Sequence, residues 1–293
     1  MKQHTKLGQT LLHIFFICLC LAYILPFLLL ISISISSEAA IKEYGYTLLP
    51  KIVDFAAYKQ IFNNPDTMLN AYKTTIIFSI STTALAILVT SLVAYPLSRQ
   101  NCKFRKPLSF FLFFTMLFSG GLVPSYLINT RYLHLDDTIW IYILPSLVSA
   151  WNVIVVRTFF QGIPKDLIEA SKIDGLSEMQ ILFKIIIPLS TPVLATIGFM
   201  TLLAKWNDWN TSLIYINDAR LYSLQYMLQK ILNEAEFLKQ VSTDGTGLMD
   251  GVEAPTESLR YAMAMVAAGP MLVIFPFFQK YFSQGLLVGS VKG

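Results

Sequence analysis

Two indoles three residues apart, Trp206 and Trp209, enclose an amide and a carboxylate, Asn207 and Asp208. An aromatic ring gives a sugar an apolar face to stack on, and the amide and carboxylate accept from its hydroxyls. A tryptophan pair that only anchors the chain at a membrane interface has the same composition. Gly120 and Gly121, followed by Leu122, Val123 and Pro124, form a second candidate for the path of a solute. Glycine weakens a helix and proline removes one of its hydrogen bonds, as a gate or pore wall requires; close packing between helices is the alternative.

Catalytic chemistry is missing from the sequence. There is no G-x-x-x-x-G-K-[ST] phosphate loop, no H-E-x-x-H and no G-x-S-x-G elbow. The glycine-rich stretch 244–251 lacks the lysine and following helix of a phosphate cradle. His4, His13 and His134 are isolated, and Cys18, Cys20 and Cys102 have neither disulfide nor metal-ligand spacing. No catalytic residue and no metal site is expected. If the chain moves a solute uphill, the energy comes from elsewhere.

Residues 163–188 are a charged, helix-forming segment between two apolar runs. Pro164 suits the first helical position, Asp166 and Glu169 favour the positive end of the helix dipole, and Gly175 supplies a stop. A second helical stretch over 176–184 then leads to Pro188. Such a segment reads as a short helix at the membrane surface on which another protein can push. The competing reading is an amphipathic helix resting on lipid headgroups through Lys165, Lys172 and Lys184, which four acids in the segment oppose.

The elements that position these residues are set by composition. The chain is 55% hydrophobic and 14% charged, with mean hydropathy +0.57, too apolar for a soluble domain of this length. A helix needs about 20 apolar residues to cross the hydrocarbon. Six stretches qualify, near 11–31, 74–97, 108–128, 138–160, 185–204 and 261–282. Lys2 and Lys6 ahead of the first run also fit a signal peptide, but the run continues to Ile35 without a small-residue cleavage site and reads as a retained span. The expected fold is therefore all-α, one polytopic transmembrane domain over 1–293.

Charge orients that domain. With the N-terminus inside, the internal segments hold 12 Lys and Arg against 4 acids, and the external ones 10 against 14. The Arg99, Lys103, Arg105 and Lys106 cluster is the clearest instance of the positive-inside bias. Both termini are expected in the cytoplasm. The basic residues are scattered over short loops, which argues against nucleic acid despite a net charge of +4. Two external segments, 36–70 and 205–259, look soluble. The second contains a helical piece over 221–239 and a Gly-, Asp- and Thr-rich stretch over 242–256; a loop of that length suits docking of an external partner, or is a solvated connection.

The pattern Glu169-Ala170, three residues, Asp174-Gly175, followed by Ile187-Pro188-Leu189, resembles the cytoplasmic loop of ABC importer permeases. The closing residues 276–285 and 289–293 resemble the tail of the carbohydrate-type permeases, relatives of the smaller permease subunit of the maltose transporter. Gly120 to Pro124, Leu135-Asp136-Asp137-Thr138 and Phe159-Phe160 are similar to the branch for oligosaccharides and breakdown products of complex polysaccharides. The resemblance implies a bacterial cytoplasmic (inner) membrane protein that works with a second homologous permease, two ATPase subunits and an extracytoplasmic solute-binding protein. It implies a carbohydrate substrate and no cofactor in this chain, with ATP and Mg²⁺ held by the ATPases. Glu169, Ala170, Ser171, Asp174 and Gly175 take the positions of the coupling loop at 161–185, with Ser171 where the family often has alanine.

A non-sugar solute is the alternative within that class. An ion-coupled secondary transporter is the rival outside it, and it usually buries ionisable residues at mid-membrane, of which the six apolar cores hold almost none. A membrane-embedded enzyme would need converging acids or histidines, and none converge.

Overall fold

A computed structural model of the chain describes residues 6–243 and 257–290, with side chains described over 8–237 and 257–279. Lys2, most of the 242–256 stretch and the last three residues of the tail lie outside the described residues. Side chains of tail residues 280–285 do as well. Described residues form helices throughout, with one isolated bridge between Ser36 and Val53 and no sheet. Two compact units are present, 1–68 with 228–270, and 69–227 with 271–293.

In the first unit, α1 (Lys6–Ser34) runs for 29 residues, and its apolar side chains from Leu11 to Ile31 are largely exposed. A helix apolar all round and bare of protein contacts is one solvated by lipid. After it, α2 (Glu38–Tyr44) is capped by the Ser37 hydroxyl, which accepts from Ala40 N, and ends at Gly45 with φ +71°. The short α3 (Ala56–Ile61) starts where Asp54 Oδ1 accepts from Ala56 N at 2.9 Å.

The next helix, α4 (Pro65–Ser98), starts nine residues before the expected span because Pro65 and Asp66 suit a helix start. In the second unit it presents a buried face of Thr75, Ser79, Thr82, Ala86, Thr90 and Ala94. Small side chains let membrane helices approach closely. Gly198 on a facing helix shows how closely, since a Cβ there would stand 2.7 Å from Ile87 Cδ1.

Three expected spans are bent. The third divides into α5 (Arg105–Leu117) and α6 (Leu122–Leu127) with a π turn Ile128–Tyr132, and the direction changes by 115° across Gly120 and Gly121. The fourth divides into α7 (Trp140–Ile143), continued as a 3₁₀ turn Leu144–Ser146 containing Pro145, and α8 (Ala150–Gln161), bent by 49°. Beyond α8 lies the short α9 (Lys165–Ile173). The fifth consists of α10 (Glu178–Ile181), a π turn Leu182–Ile186 and α11 (Ile187–Leu189), then α12 (Thr191–Trp206) at 80°. Pro188 and Pro192 flank that last break, and neither can donate a helical hydrogen bond.

Two further helices, α13 (Asn210–Tyr215) and α14 (Leu224–Thr243), precede α15 (Glu257–Ser290). Three described helices are long and apolar enough to cross a membrane, and six crossings result if each bent pair is one span. In the first unit the Glu38 carboxylate accepts from Ser258 N and Ser258 Oγ, both at 3.2 Å, closing the start of α15. A carboxylate there neutralises the free amides and the dipole of the helix.

Candidate functional site

The Glu169 to Gly175 pattern folds into a helix with a sharply defined end. Pro164 (φ −54°, ψ 130°) stands one place outside the helix and α9 starts at Lys165. At the far end Gly175 N donates to Lys172 O and Leu176 N to Ser171 O, both 3.1 Å, with Gly175 at φ +80°. These are the two crossed hydrogen bonds of a Schellman motif, which needs a left-handed residue where glycine stands. Only Asp174 to Ser177 separate α9 from α10, whose start carries a reciprocal cap between Ser177 and Gln180.

Burial divides α9 into two faces. Ile168 and Ser171 are buried, and Ser171 Oγ donates to Leu167 O. Ser171 thus turns into its own chain, whereas Glu169, Ala170, Asp174 and Gly175 lie on the exposed face. Ile173 is 87% exposed and Leu167 46%, apolar side chains on a helix outside every candidate span.

The base of α9 is held to the chain's own spans. Glu178 pairs with Lys172 at 2.6 Å and accepts from Tyr95 Oη at 2.5 Å, while the Arg99 guanidinium lies 4.6 Å from the Tyr95 ring centre. Lys165 Nζ donates to Gln100 Oε1 at 3.1 Å. Below, Val153, Val156, Phe160, Ile168, Ile181 and Leu182 share one apolar core with Ala94 and Leu97. α9 therefore shares one core with α4, α8 and the fifth broken span.

The tryptophan cluster has a different fate from the one its composition suggests. Trp206 is only 3% exposed. Asp208 pairs with Lys205 at 2.9 Å, the two side chains being 12% and 13% exposed, and also accepts from Thr211 N and Oγ1. Asn207 donates to Leu203 O and accepts from Gln225. Both polar groups thus serve the turn into α13, and Trp209, 46% exposed, is the open ring.

Gly120 and Gly121 are exposed, and Gly121 has φ +83° at the start of the arm 122–132. That arm lies on α13, where Tyr126 stacks on Tyr215 at 5.6 Å and Asn129 Nδ2 donates to Tyr215 Oη at 3.3 Å. The two expected path elements are thus on neighbouring pieces of the second unit, joined through Tyr215.

Sequence reasoning missed the groups that anchor this region. Tyr142 is buried, stacked on Phe78 at 4.2 Å, and its hydroxyl meets Ser212 Oγ at 2.6 Å and Leu221 O at 2.8 Å. Ser212 Oγ contacts Ser223 Oγ at 2.9 Å, and Leu224 N donates to Thr75 Oγ1 at 2.8 Å. Asp137 accepts from the backbone N–H groups of Asn217 and Asp218, which hold its carboxyl below the usual range. Among the described residues no group of His, Cys, Asp or Glu could hold a metal ion.

The long apolar helices and the bent apolar pairs define a multi-pass membrane protein. Over residues 2–288 the chain matches the family described as binding-protein-dependent transport system inner membrane component, and it belongs to that family. It is 37% identical over 270 residues to Protein LplC of Bacillus subtilis (strain 168), covering 92% of this chain and 90% of that one. Polygalacturonan/rhamnogalacturonan transport system permease protein YtcP of the same organism is 35% identical, covering 98% and 99%. The crystal structure of a bacterial ABC transporter involved in the import of the acidic polysaccharide alginate has a chain that aligns with TM-score 0.79 at 26% identity, covering 96% of this chain and 100% of that one. The family is one of permease components, so the chain is a transport subunit and not an enzyme.

The lowered Asp137 carboxyl gives a pH test of the α13 anchor. A depressed carboxyl stabilises above its unfolded value of about 4 and ceases to do so as pH falls through the folded value. Hydrogen-exchange protection of the Asn217 and Asp218 amides, corrected for intrinsic rate, should fall below about pH 4 in the wild type. In Asp137→Ala it should already be low at neutral pH.

Proposed function

We propose that this chain is a permease subunit of an ATP-driven carbohydrate importer in a bacterial inner membrane, with both termini in the cytoplasm. It crosses the membrane six times and pairs with a second homologous permease. Two ATPase subunits, which hold ATP and Mg²⁺, receive α9, and an extracytoplasmic solute-binding protein docks on the 205–259 side. The observation that carries this reading is the exposed face of α9, closed by the Gly175 turn and fastened to three spans at its base. Carbohydrate is favoured because permeases so similar over nearly their whole length are named for oligosaccharides and polysaccharide products.

Mechanically, a helix pinned at both ends by short turns transmits a push without bending. Closure of the ATPase pair moves α9, and the common core passes that motion to α4, α8 and α12. Glu169 and Asp174 offer charged contacts at the rim, and Leu167 and Ile173 fill the centre of the contact, where burial of apolar surface stabilises docking. Trp209 and the Gly121 arm border the solute path.

Replacement of Gly175 tests the coupling assignment. A β-branched side chain in the left-handed region costs roughly 1–2 kcal/mol, whereas asparagine tolerates that conformation. In reconstituted complex, Gly175→Val should lower oligosaccharide uptake and ATPase stimulation several-fold while Gly175→Asn retains most of both. Uptake by Gly175→Val equal to wild type, at equal assembly, contradicts the role given to α9.

The tryptophans should now separate. Trp206→Ala should reduce the thermal stability of the complex, since removing a buried ring leaves a cavity worth about 3–5 kcal/mol. Trp209→Ala should lower uptake per assembled complex, and Trp209→Phe should restore part of it. Unchanged normalised uptake in Trp209→Ala removes that ring from the path.

A further inference from the structure

Beside α9 the second unit holds a cleft of about 880 Å³, lined in part by the groups that fasten the base of α9. Arg99, Arg105, Lys165 and Lys172 line it, against the acids Glu169 and Glu178. Glu178 is already engaged by Lys172 and Tyr95, so the remaining charge of the cleft is positive. Its deeper wall is apolar, formed by Leu92, Phe160, Ile163 and Leu182 among others.

Arg99 is the telling residue. Its guanidinium lies over the Tyr95 ring and faces the Tyr95 hydroxyl and the Glu178 carboxylate, and two of its donors, Nε and Nη2, are buried without a hydrogen bond of their own. A guanidinium presents a fork of donors suited to carboxylate or phosphate, and leaving such donors buried and unpaired is unfavourable by several times the net value of a made hydrogen bond. Arg105 lies nearby, and a Gln161 amide with its oxygen toward the arginines would accept from Arg105 Nη2 at 3.0 Å and from Arg157 Nε at 3.2 Å.

Position selects the class of ligand. The cleft lies where α4 ends at Ser98, α5 begins at Arg105 and α8 ends at Gln161. Three candidate spans therefore terminate around it, which is the depth of phospholipid headgroups. A basic, roomy cleft with an apolar wall at that depth matches a phosphate group followed by glycerol and the first methylenes of an acyl chain. Of the four acids of residues 163–188, Asp166 and Asp174 are not among the lining, Glu178 is paired with Lys172, and Glu169 is the one acid left to oppose an anion there.

We propose that this cleft binds the phosphate-bearing headgroup of one anionic phospholipid, held by Arg99 with Arg105 and Lys165. The proposal rests on the cleft residues alone and stands whether or not α9 meets an ATPase.

The test uses the intact, purified complex in phosphatidylcholine nanodiscs containing phosphatidylglycerol, with lipid retained after transfer to detergent counted by native mass spectrometry. Wild type should keep phosphatidylglycerol in preference to phosphatidylcholine. Arg99→Gln should bind it roughly fivefold more weakly, and the Arg99→Gln, Lys165→Gln pair weaker again by a similar factor. Lys59→Gln, in the first unit, should behave as wild type. If Arg99→Gln does not assemble, Lys165→Gln at its exposed position gives the same reading. Displacement of the lipid by millimolar inorganic phosphate would assign the site to phosphate from either source, and no displacement to the lipid alone. Equal retention by wild type and the variants, or equal loss in Lys59→Gln, overturns the proposal. Unchanged lipid retention with weaker ATPase association in Arg99→Gln also overturns it, giving the cleft to an acidic segment of that partner.

Discussion

A peptide group inside a bilayer has no water to bond with, so every interruption of a spanning helix must be satisfied by the protein itself. This constraint governs the second unit, where three of the expected crossings are bent. Hydroxyls stand at each break. Ser119 Oγ accepts from Gly121 N, Ser149 Oγ accepts from Asn152 N, and Thr191 Oγ1 donates to Pro188 O. Ser125 Oγ donates to Gly121 O on the far side of the first break. Glycine and proline open these helices, and neighbouring Ser and Thr supply the hydrogen bonds that the opening removes.

A break divides a spanning helix into pieces that pack separately. α6, a piece of the third span, is joined to α13 by Tyr126, Asn129 and Tyr215, and this region is held to α4 and α7 by Thr75, Tyr142, Ser212 and Ser223. At the other end of α4, Ala94 and Leu97 share a core with Val156, Ile168 and Ile181. The 34-residue α4 is continuous between these two groups of contacts. α4 is thus one continuous element between the core that holds Ile168 of α9 and the contacts of the α13 region.

The apolar runs and the helix at 165–173 were legible in the sequence because they depend on period, composition and a glycine stop. Gly175 was legible for the same reason, as the left-handed position it fills has few occupants. The breaks within the spans were not, apart from the Gly120–Gly121 position, because an apolar average over 20 residues is blind to a turn of three or four. Trp206 and Asp208 show a different limit. Their types suit a sugar, but a buried ring and a carboxylate occupied by Lys205 and Thr211 serve the fold, and only tertiary contacts distinguish the uses. Arg99 counted in the sequence as one positive charge in a loop, and its orphaned donors depend on where Tyr95 and α8 stand.

The most direct measurement of the central claim is photocrosslinking from the exposed face of α9. A photoreactive amino acid in place of Ile173, in purified complex reconstituted with its ATPase, should form a covalent adduct with an ATPase subunit, and the yield should change when ATP closes the ATPase pair. The same group placed at Leu48, exposed in the first unit, should not capture that subunit. An Ile173 adduct with lipid alone, in a complex that retains its ATPase, would contradict the account.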